Sequence, residues 1–194
     1  MSDDFMKSAL DRAMERADRI EIPEERLKEM KYRDQGEKLA ASFLKDTAFP
    51  LGDQLGKLDA EAKRYVSKAV ESILLQNLIL PRREADAIRN ETVFQGLSAL
   101  KNNAGGLKQA QDQLANLSSY YAQATKQNYD QLKSQIEQMA GPALRQKMGL
   151  APGAKLNVET LPEFQENWRQ VSGKLDTQYG EALNQLKQQI TSLS

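Results

Sequence analysis

The sequence predicts an all-α protein: an elongated helical bundle with a long antiparallel, coiled-coil-like helical hairpin at its C-terminal end. Apolar residues return every three or four positions over residues 107–140 and 161–193, which is the spacing of one helix face. Prolines and glycines separate shorter segments of the same spacing in the first half of the chain. No segment alternates apolar and polar residues as a half-buried strand would.

Four shorter helices are predicted in the first half of the chain, over residues 3–20, 24–49, 59–80 and 82–101. Pro23, Pro50 and Pro81 stand at the boundaries between them, where the missing N–H of proline does least harm to a helix. The third helix has an apolar last two turns and is expected to be the most buried.

The second and fourth of these helices each have a predicted inward face. Leu27, Met30 and Phe43 are expected to point inward from the second helix, and Ile88 from the fourth. Gly36 lies inside the second helix, where glycine costs about 1 kcal/mol relative to alanine. We interpret the helix as continuous, with Gly36 at a kink or at a close crossing with another helix.

The composition changes after residue 106. Residues 107–194 contain 15 glutamines, against 4 in residues 1–106. Glutamine favours helix and is hydrated without carrying charge, so these segments are predicted to be solvated helices. We therefore divide the chain into a four-helix region, residues 1–106, that packs on a helical hairpin, residues 107–194.

The two long helices are predicted to pack against each other. Residues 141–160 are long enough to let the second helix return beside the first, and Thr160 with Glu163 forms a capping-box pattern at the restart. An antiparallel pairing brings together residues whose numbers add up to about 300. Tyr121 then meets Tyr179, Ile136 meets Phe164, and Met139 meets Leu161.

The residue types exclude several kinds of chemistry. The chain has no cysteine and no histidine, which removes thiol catalysis, zinc fingers and the commonest general base. Lysine plus arginine equals aspartate plus glutamate at 27 each, so no net field attracts nucleic acid. Ser42 to Lys45 and Ser98 to Lys101 match the Ser-x-x-Lys pattern of acyl enzymes without its companion motifs. No cofactor or metal site is predicted.

These observations favour a non-enzymatic helical interaction or assembly protein, a scaffold or adaptor, whose partners are other proteins or further copies of itself. The acidic N-terminus lacks the features of a secretory signal, so a cytoplasmic location is expected. Two regions are candidate partner-binding sites: the basic hairpin tip and the first amphipathic helix, with Arg145, Lys147, Lys155, Phe5, Met6 and Leu10. The alternative is a peripheral protein that uses one of these regions on a membrane surface. It is less favoured, because the first helix mixes acidic with basic residues and lacks tryptophan.

Overall fold

A computed structural model describes residues 23–147, 149, 151 and 157–193, and all regular secondary structure in these residues is helical. The prediction of an all-α fold is confirmed. The helices are α1 Glu24–Lys45, α2 Leu51–Gly56, α3 Ala60–Gln76, α4 Glu84–Ser98, α5 Ala104–Lys147, the short 3-10 helix Val158–Thr160, and α6 Pro162–Ser192. The chain divides into two compact units, one ending at Ile73 and the other extending from Leu74 to the last residue. The unit from Leu74 onward contains α4 as well as the two long helices. The division of the chain at residue 106 stays a prediction.

In the first unit, α1 crosses α3 closely at Gly36. A Cβ at Gly36 would lie 2.5 Å from the Cβ of Ala69 and 2.9 Å from the carbonyl oxygen of Val66. Helix α1 is continuous through this position. The prediction of a continuous helix is confirmed, and of the two alternatives for Gly36 the structure shows the close crossing.

The predicted inward face of α1 is wrong over its first half. Leu27 and Met30 are 49% and 62% exposed. The face turned toward α3 carries charges instead, because Lys28 pairs with Glu61 at 2.6 Å and Arg64 with Glu25 at 3.1 Å. A third pair joins Glu29 to Lys68 and lowers the pKa of Glu29. The two helices thus meet through ion pairs at this end and through small and aromatic residues beyond it.

In the second unit, side chains of α4 hold the connection between α3 and α4. Asn90 accepts a hydrogen bond from the backbone N–H of Ile79 at 3.0 Å and donates one to the carbonyl of the same residue at 2.8 Å. Asp86 accepts from the backbone N–H groups of Arg82 and Arg83, each at 3.0 Å. The Asn90 bonds satisfy the backbone of Ile79 just beyond the end of α3, and the Asp86 bonds cap the N-terminus of α4. Ile88 was expected to face inward but is exposed.

The contacts between α5 and α6 fit the predicted antiparallel hairpin. The rings of Tyr121 and Tyr179 lie 5.3 Å apart between centroids, as expected. At the start of α5, a Cβ at Gly106 would lie 2.7 Å from the Cδ2 of Leu193. The early residues of α5 thus contact the late residues of α6.

Candidate interaction surface

A polar cluster near the middle of the hairpin joins both long helices to the loop before α4. The hydroxyl of Tyr121 donates to Asp176 Oδ1 at 2.5 Å, and Arg82 Nη2 donates to the same oxygen at 2.8 Å. The guanidinium carbon of Arg82 lies 5.8 Å from the centre of the Tyr121 ring. Burial, followed by the hydrogen bond to Asp176, raises the pKa of Tyr121. Asp176 therefore marks the side of α6 that the loop before α4 covers.

A second cluster occupies the hairpin tip. Ile136, Val158 and Phe164 form its buried centre, and the ring of Tyr129 lies edge-on to Phe164 at 5.2 Å and to Trp168 at 5.0 Å. Edge-to-face contacts at these distances are favourable for aromatic rings. The 3-10 helix thus supplies Val158 to close the end of the apolar seam.

One ion pair joins the 3-10 helix to α5 at the tip. Lys133 Nζ donates to Glu159 Oε1 at 2.5 Å. This bond lowers the pKa of Glu159 and raises the pKa of Lys133. Burial is the main cause that raises the pKa of Tyr129, and a hydrogen bond to Glu159 adds to it. The tip is therefore held by packing and by charge together.

Between these two clusters the seam is only half-buried. The side chains concerned are Ala124, Asn128 and Leu132 on α5 and Trp168, Val171, Leu175 and Tyr179 on α6. Two helices enclose a shared seam less completely than a bundle of three or four does, because each seam residue keeps one side toward solvent. The outer half of the hairpin thus lacks the cover that α4 provides near residue 107.

Helix α4 covers one side of α5. Phe94 and Leu107 are buried where the two helices meet. An open groove of about 340 Å³ lies between the helices, with Glu91, Ser98, Lys108 and Gln111 also in its lining. The side of α5 that faces α4 is therefore the side that carries Ala104, Leu107, Lys108 and Gln111.

The opposite side of α5 carries a continuous stripe of exposed, uncharged polar residues. Its members follow one another at steps of three or four along the helix, and we call them the uncharged stripe: Gln109, Gln113, Asn116, Tyr120, Gln123, Gln127, Gln131, Ser134 and Gln138. At about 100° per residue, the centre of this stripe lies roughly half a turn from the side that faces α4. Tyr120, in its first half, is 62% exposed.

The charges of α5 avoid this stripe. Lys108 pairs with Asp112 at 2.8 Å and Lys126 with Asp130 at 2.5 Å, while Lys133 contacts Glu159. By the usual helical rotation, the three lysines lie roughly 100° or more from the centre of the stripe, and Asp112 and Asp130 lie roughly 60° from it, at its edge. Because surfaces exposed to water usually intersperse charges of both signs, an uncharged stripe of this length is unusual for a solvated helix.

Helix α6 adds two charges to the same side of the hairpin. Lys174 and Glu181 each lie roughly 150° around the helix from Asp176, by the usual helical rotation. Both are exposed. Neither forms an ion pair with any residue that the structure describes, whereas Asp176 and Glu166 pair with Arg82 and Arg169. We call the uncharged stripe together with these two residues the outer face of the hairpin.

Few of the predicted partner-binding residues fall within the described residues. Phe5, Met6, Leu10 and Lys155 lie outside them, and of Lys147 only the backbone is described, at the end of α5. Arg145 donates to Glu137 Oε1 at 3.4 Å, and its side chain is mostly covered. The one tip arginine whose side chain is described therefore has an acidic neighbour two helical turns away.

The two Ser-x-x-Lys patterns have ordinary structural surroundings. The hydroxyls of Ser42 and Ser98 each donate to a carbonyl of their own helix at 2.9 Å. Lys101 Nζ donates to the carbonyls of Leu193 at 2.7 Å and Thr191 at 3.1 Å, where it complements the negative end of α6. Among the described residues, no group of three or more acidic side chains could hold a metal ion.

The outer face is absent from the sequence-based prediction. The signal is nevertheless present in the sequence: a second set of residues at helical spacing, Gln109 to Gln138, without a charge. This set can be recognised as an exposed surface only once the side of α5 that α4 covers is known. The apolar seam alone does not indicate which of its two flanks remains exposed to solvent.

The fold and the outer face define an all-α protein built on a long helical hairpin. The profile of a family described as "Family of unknown function (DUF6657)" matches residues 52–192, and the chain belongs to this family. The match includes both helices of the hairpin. No curated protein and no solved structure matches the chain. In the part of the chain that the structure describes, no helix is long and apolar enough to cross a membrane.

Proposed function

We propose that this protein is a non-enzymatic helical interaction or assembly protein, and that the outer face of the α5–α6 hairpin is the surface that binds a protein partner. The observation that carries the proposal is the uncharged stripe, which runs along α5 from Gln109 to Gln138 without one charged residue. Depletion of charge and enrichment of tyrosine distinguish the centres of protein interfaces from other surfaces.

The half-buried seam supports the same proposal. Leu132, Val171 and Leu175 each keep part of their apolar surface open between the two clusters. A partner helix laid on the outer face would cover the edge of this seam, and each Å² of apolar surface so removed from water contributes about 25 cal/mol. Binding would therefore combine amide hydrogen bonds with modest apolar burial.

Site-specific photocrosslinking in living cells tests the proposal. The benzophenone amino acid p-benzoylphenylalanine is introduced in place of Gln127, at the centre of the outer face, and in a second variant in place of Ala122. Both positions are exposed, but they lie roughly 140° apart around α5. We expect a discrete crosslinked protein band from position 127 and none from position 122.

Two results would contradict the proposal. Equal crosslinking from both positions would indicate unspecific collision, and no crosslinking from either would leave the outer face without a partner. The proposed site of assembly is the cytoplasm, as the sequence predicts. Recovery of the protein in a washed membrane fraction would contradict that part.

A further inference from the structure

We infer that the partner on the outer face is a second copy of this chain, bound antiparallel about a two-fold axis so that α5 lies on the α5 of the second copy and α6 on its α6. This inference rests on the proposed function, which does not identify the partner. The two hairpins would form a four-helix layer. Such a contact is isologous, so one surface has to complement itself.

The uncharged stripe has the spacing that an antiparallel copy requires. When the stripe is laid against itself in reverse, Gln109 faces Gln138 of the second copy, and Gln113 faces its Ser134. Asn116 then faces Gln131 of the second copy, and the two-fold axis passes close to Gln123. Side-chain amides and hydroxyls both donate and accept hydrogen bonds. In each of these pairs, either residue can therefore be the donor.

The charges on α6 provide independent complementarity. Lys174 and Glu181 are opposite in sign, exposed and without an ion-pair partner among the described residues. In the antiparallel arrangement, Lys174 lies opposite Glu181 of the second copy, and symmetry repeats the pair. In a parallel two-fold arrangement, α6 would lie on α5 of the second copy, and these two charges would not meet.

The two helices place the two-fold axis at nearly the same level. The axis defined by the stripe lies beside Gln123. The contact between Tyr121 and Tyr179 and the bond from Tyr121 to Asp176 fix which part of α6 is at that level. The midpoint between Lys174 and Glu181 falls within roughly two residues of it, or about 3 Å of helical rise. Long lysine and glutamate side chains accommodate a difference of this size.

The available area is sufficient for a specific dimer. The stripe spans about 44 Å from Gln109 to Gln138 at 1.5 Å per residue, and two helices side by side make a face about 20 Å wide. The face therefore offers roughly 900 Å² per copy, close to the ~800 Å² that each partner contributes to a standard interface. The equal numbers of acidic and basic residues, 27 each, give two copies no net repulsion.

A charge-swap series measured by sedimentation equilibrium tests the inference with the full-length chain. The unmodified protein should dimerise with a dissociation constant of roughly 1–100 µM, as expected for a polar interface of this size. Lys174→Glu places two acidic residues opposite each other, and Glu181→Lys places two basic ones. Each single variant should weaken dimerisation at least tenfold. The double variant re-forms the pair with reversed signs and should restore it.

A matched control reverses a charge pair at the edge of α5 that faces away from α6, outside the proposed contact. The double variant Lys126→Glu with Asp130→Lys keeps its local i to i+4 pair and should dimerise as the unmodified protein does. Circular dichroism confirms that each variant remains helical. Single variants that dimerise normally, or a double variant that fails to restore dimerisation, would overturn the inference.

The outcome also separates this inference from the proposed function. A chain that remains monomeric up to millimolar concentration, while benzophenone at position 127 still captures a different protein, would overturn self-association and leave the interaction surface standing. Crosslinking of position 127 to a second copy of the chain supports both.

Discussion

At the scale of single residues, two glycines show how one residue type serves different purposes in a helix. Gly36 is buried against α3, where a Cβ would meet Ala69 and the backbone of Val66. Gly173 is exposed on α6, and a Cβ there would meet nothing within 4 Å. The intrinsic helix preference of alanine over glycine is the same at both positions. Only the surroundings differ.

We expect Gly36→Ala to destabilise the protein by about 1–3 kcal/mol, because the added methyl group separates two packed helices. Gly173→Ala should instead stabilise it by roughly 0.5–1 kcal/mol, through the lower entropy of the unfolded chain. Urea unfolding followed by circular dichroism measures both changes. If Gly36→Ala were as stabilising as Gly173→Ala, the close crossing of α1 and α3 would be wrong.

The surroundings of Gly36 are easier to predict from the sequence than the surroundings of Leu27. A glycine inside a predicted helix has few explanations, so the sequence narrows the choice to a kink or a close crossing, and the contact with Ala69 and Val66 shows the crossing. Leu27 and Met30 fit an apolar stripe, yet α1 turns Glu25, Lys28 and Glu29 toward α3. An apolar pattern cannot reveal that a helix contact is made through ion pairs.

At the scale of helices, the register of the hairpin follows the predicted pairing near Tyr121 and departs from it at the tip. Met139 is 85% exposed, so its predicted contact with Leu161 is wrong. The place opposite Ile136 is shared by Phe164 and Val158. Helix α5 also continues to Lys147 with Pro142 inside it, although the helix was predicted to end at residue 140 and the connection to begin at 141. Arg145 contacts Glu137 across the proline, which helps the last turns to persist.

The role of Val158 at the tip leads to a prediction. Val158 is fully buried, so Val158→Ala should cost roughly 2 kcal/mol from lost methyl burial and the remaining cavity. Val171→Ala removes the same atoms from a half-buried position and should cost less than half as much. Trp168 is the single tryptophan of the chain and packs against this cluster, so its fluorescence during urea unfolding measures both changes.

Equal losses for the two valine variants would contradict the buried cluster. The 3-10 helix would then not close the seam as described. A shift in the Trp168 emission of the folded Val158→Ala variant is expected as well, because water gains access to the cluster.

At the scale of the whole molecule, the helical class and the bounds of α6 follow closely from the sequence, whereas the full length of α5 and the outer face do not. Periodicity specifies which residues of α5 meet α6, but the flank that α4 covers depends on tertiary contacts such as those of Phe94 and Leu107. The contact of Arg82 with Asp176 likewise joins residues far apart in the chain. Single-sequence patterns carry no direct information about such pairs.

The absence of histidine gives the whole chain a predictable pH dependence. The hydrogen bond from Lys133 lowers the pKa of Glu159, and the backbone N–H of Arg82 does the same for Asp86. A lowered carboxylate pKa contributes stability above its unfolded value of about 4, and this contribution is lost as the pH falls through the folded pKa. Burial raises the pKa of Tyr121 and Tyr129, so their contribution is present below about pH 10 and is lost as the pH rises further.

We therefore expect a plateau of thermal stability from roughly pH 5 to pH 9, with losses on both sides, because no side chain with an ordinary pKa titrates between these limits. Melting temperatures measured by circular dichroism from pH 3 to pH 11 check this directly. Tyr121→Phe keeps the ring and removes the ionisable hydroxyl, so it should lessen the alkaline loss and leave the acid limb unchanged. A melting temperature that varies steeply between pH 6 and pH 8 would contradict the plateau. The pKa values of Glu159 and Asp86 are shifted away from that range, whereas burial lowers the pKa of Lys187, so Lys187 would be the first residue to replace in that case.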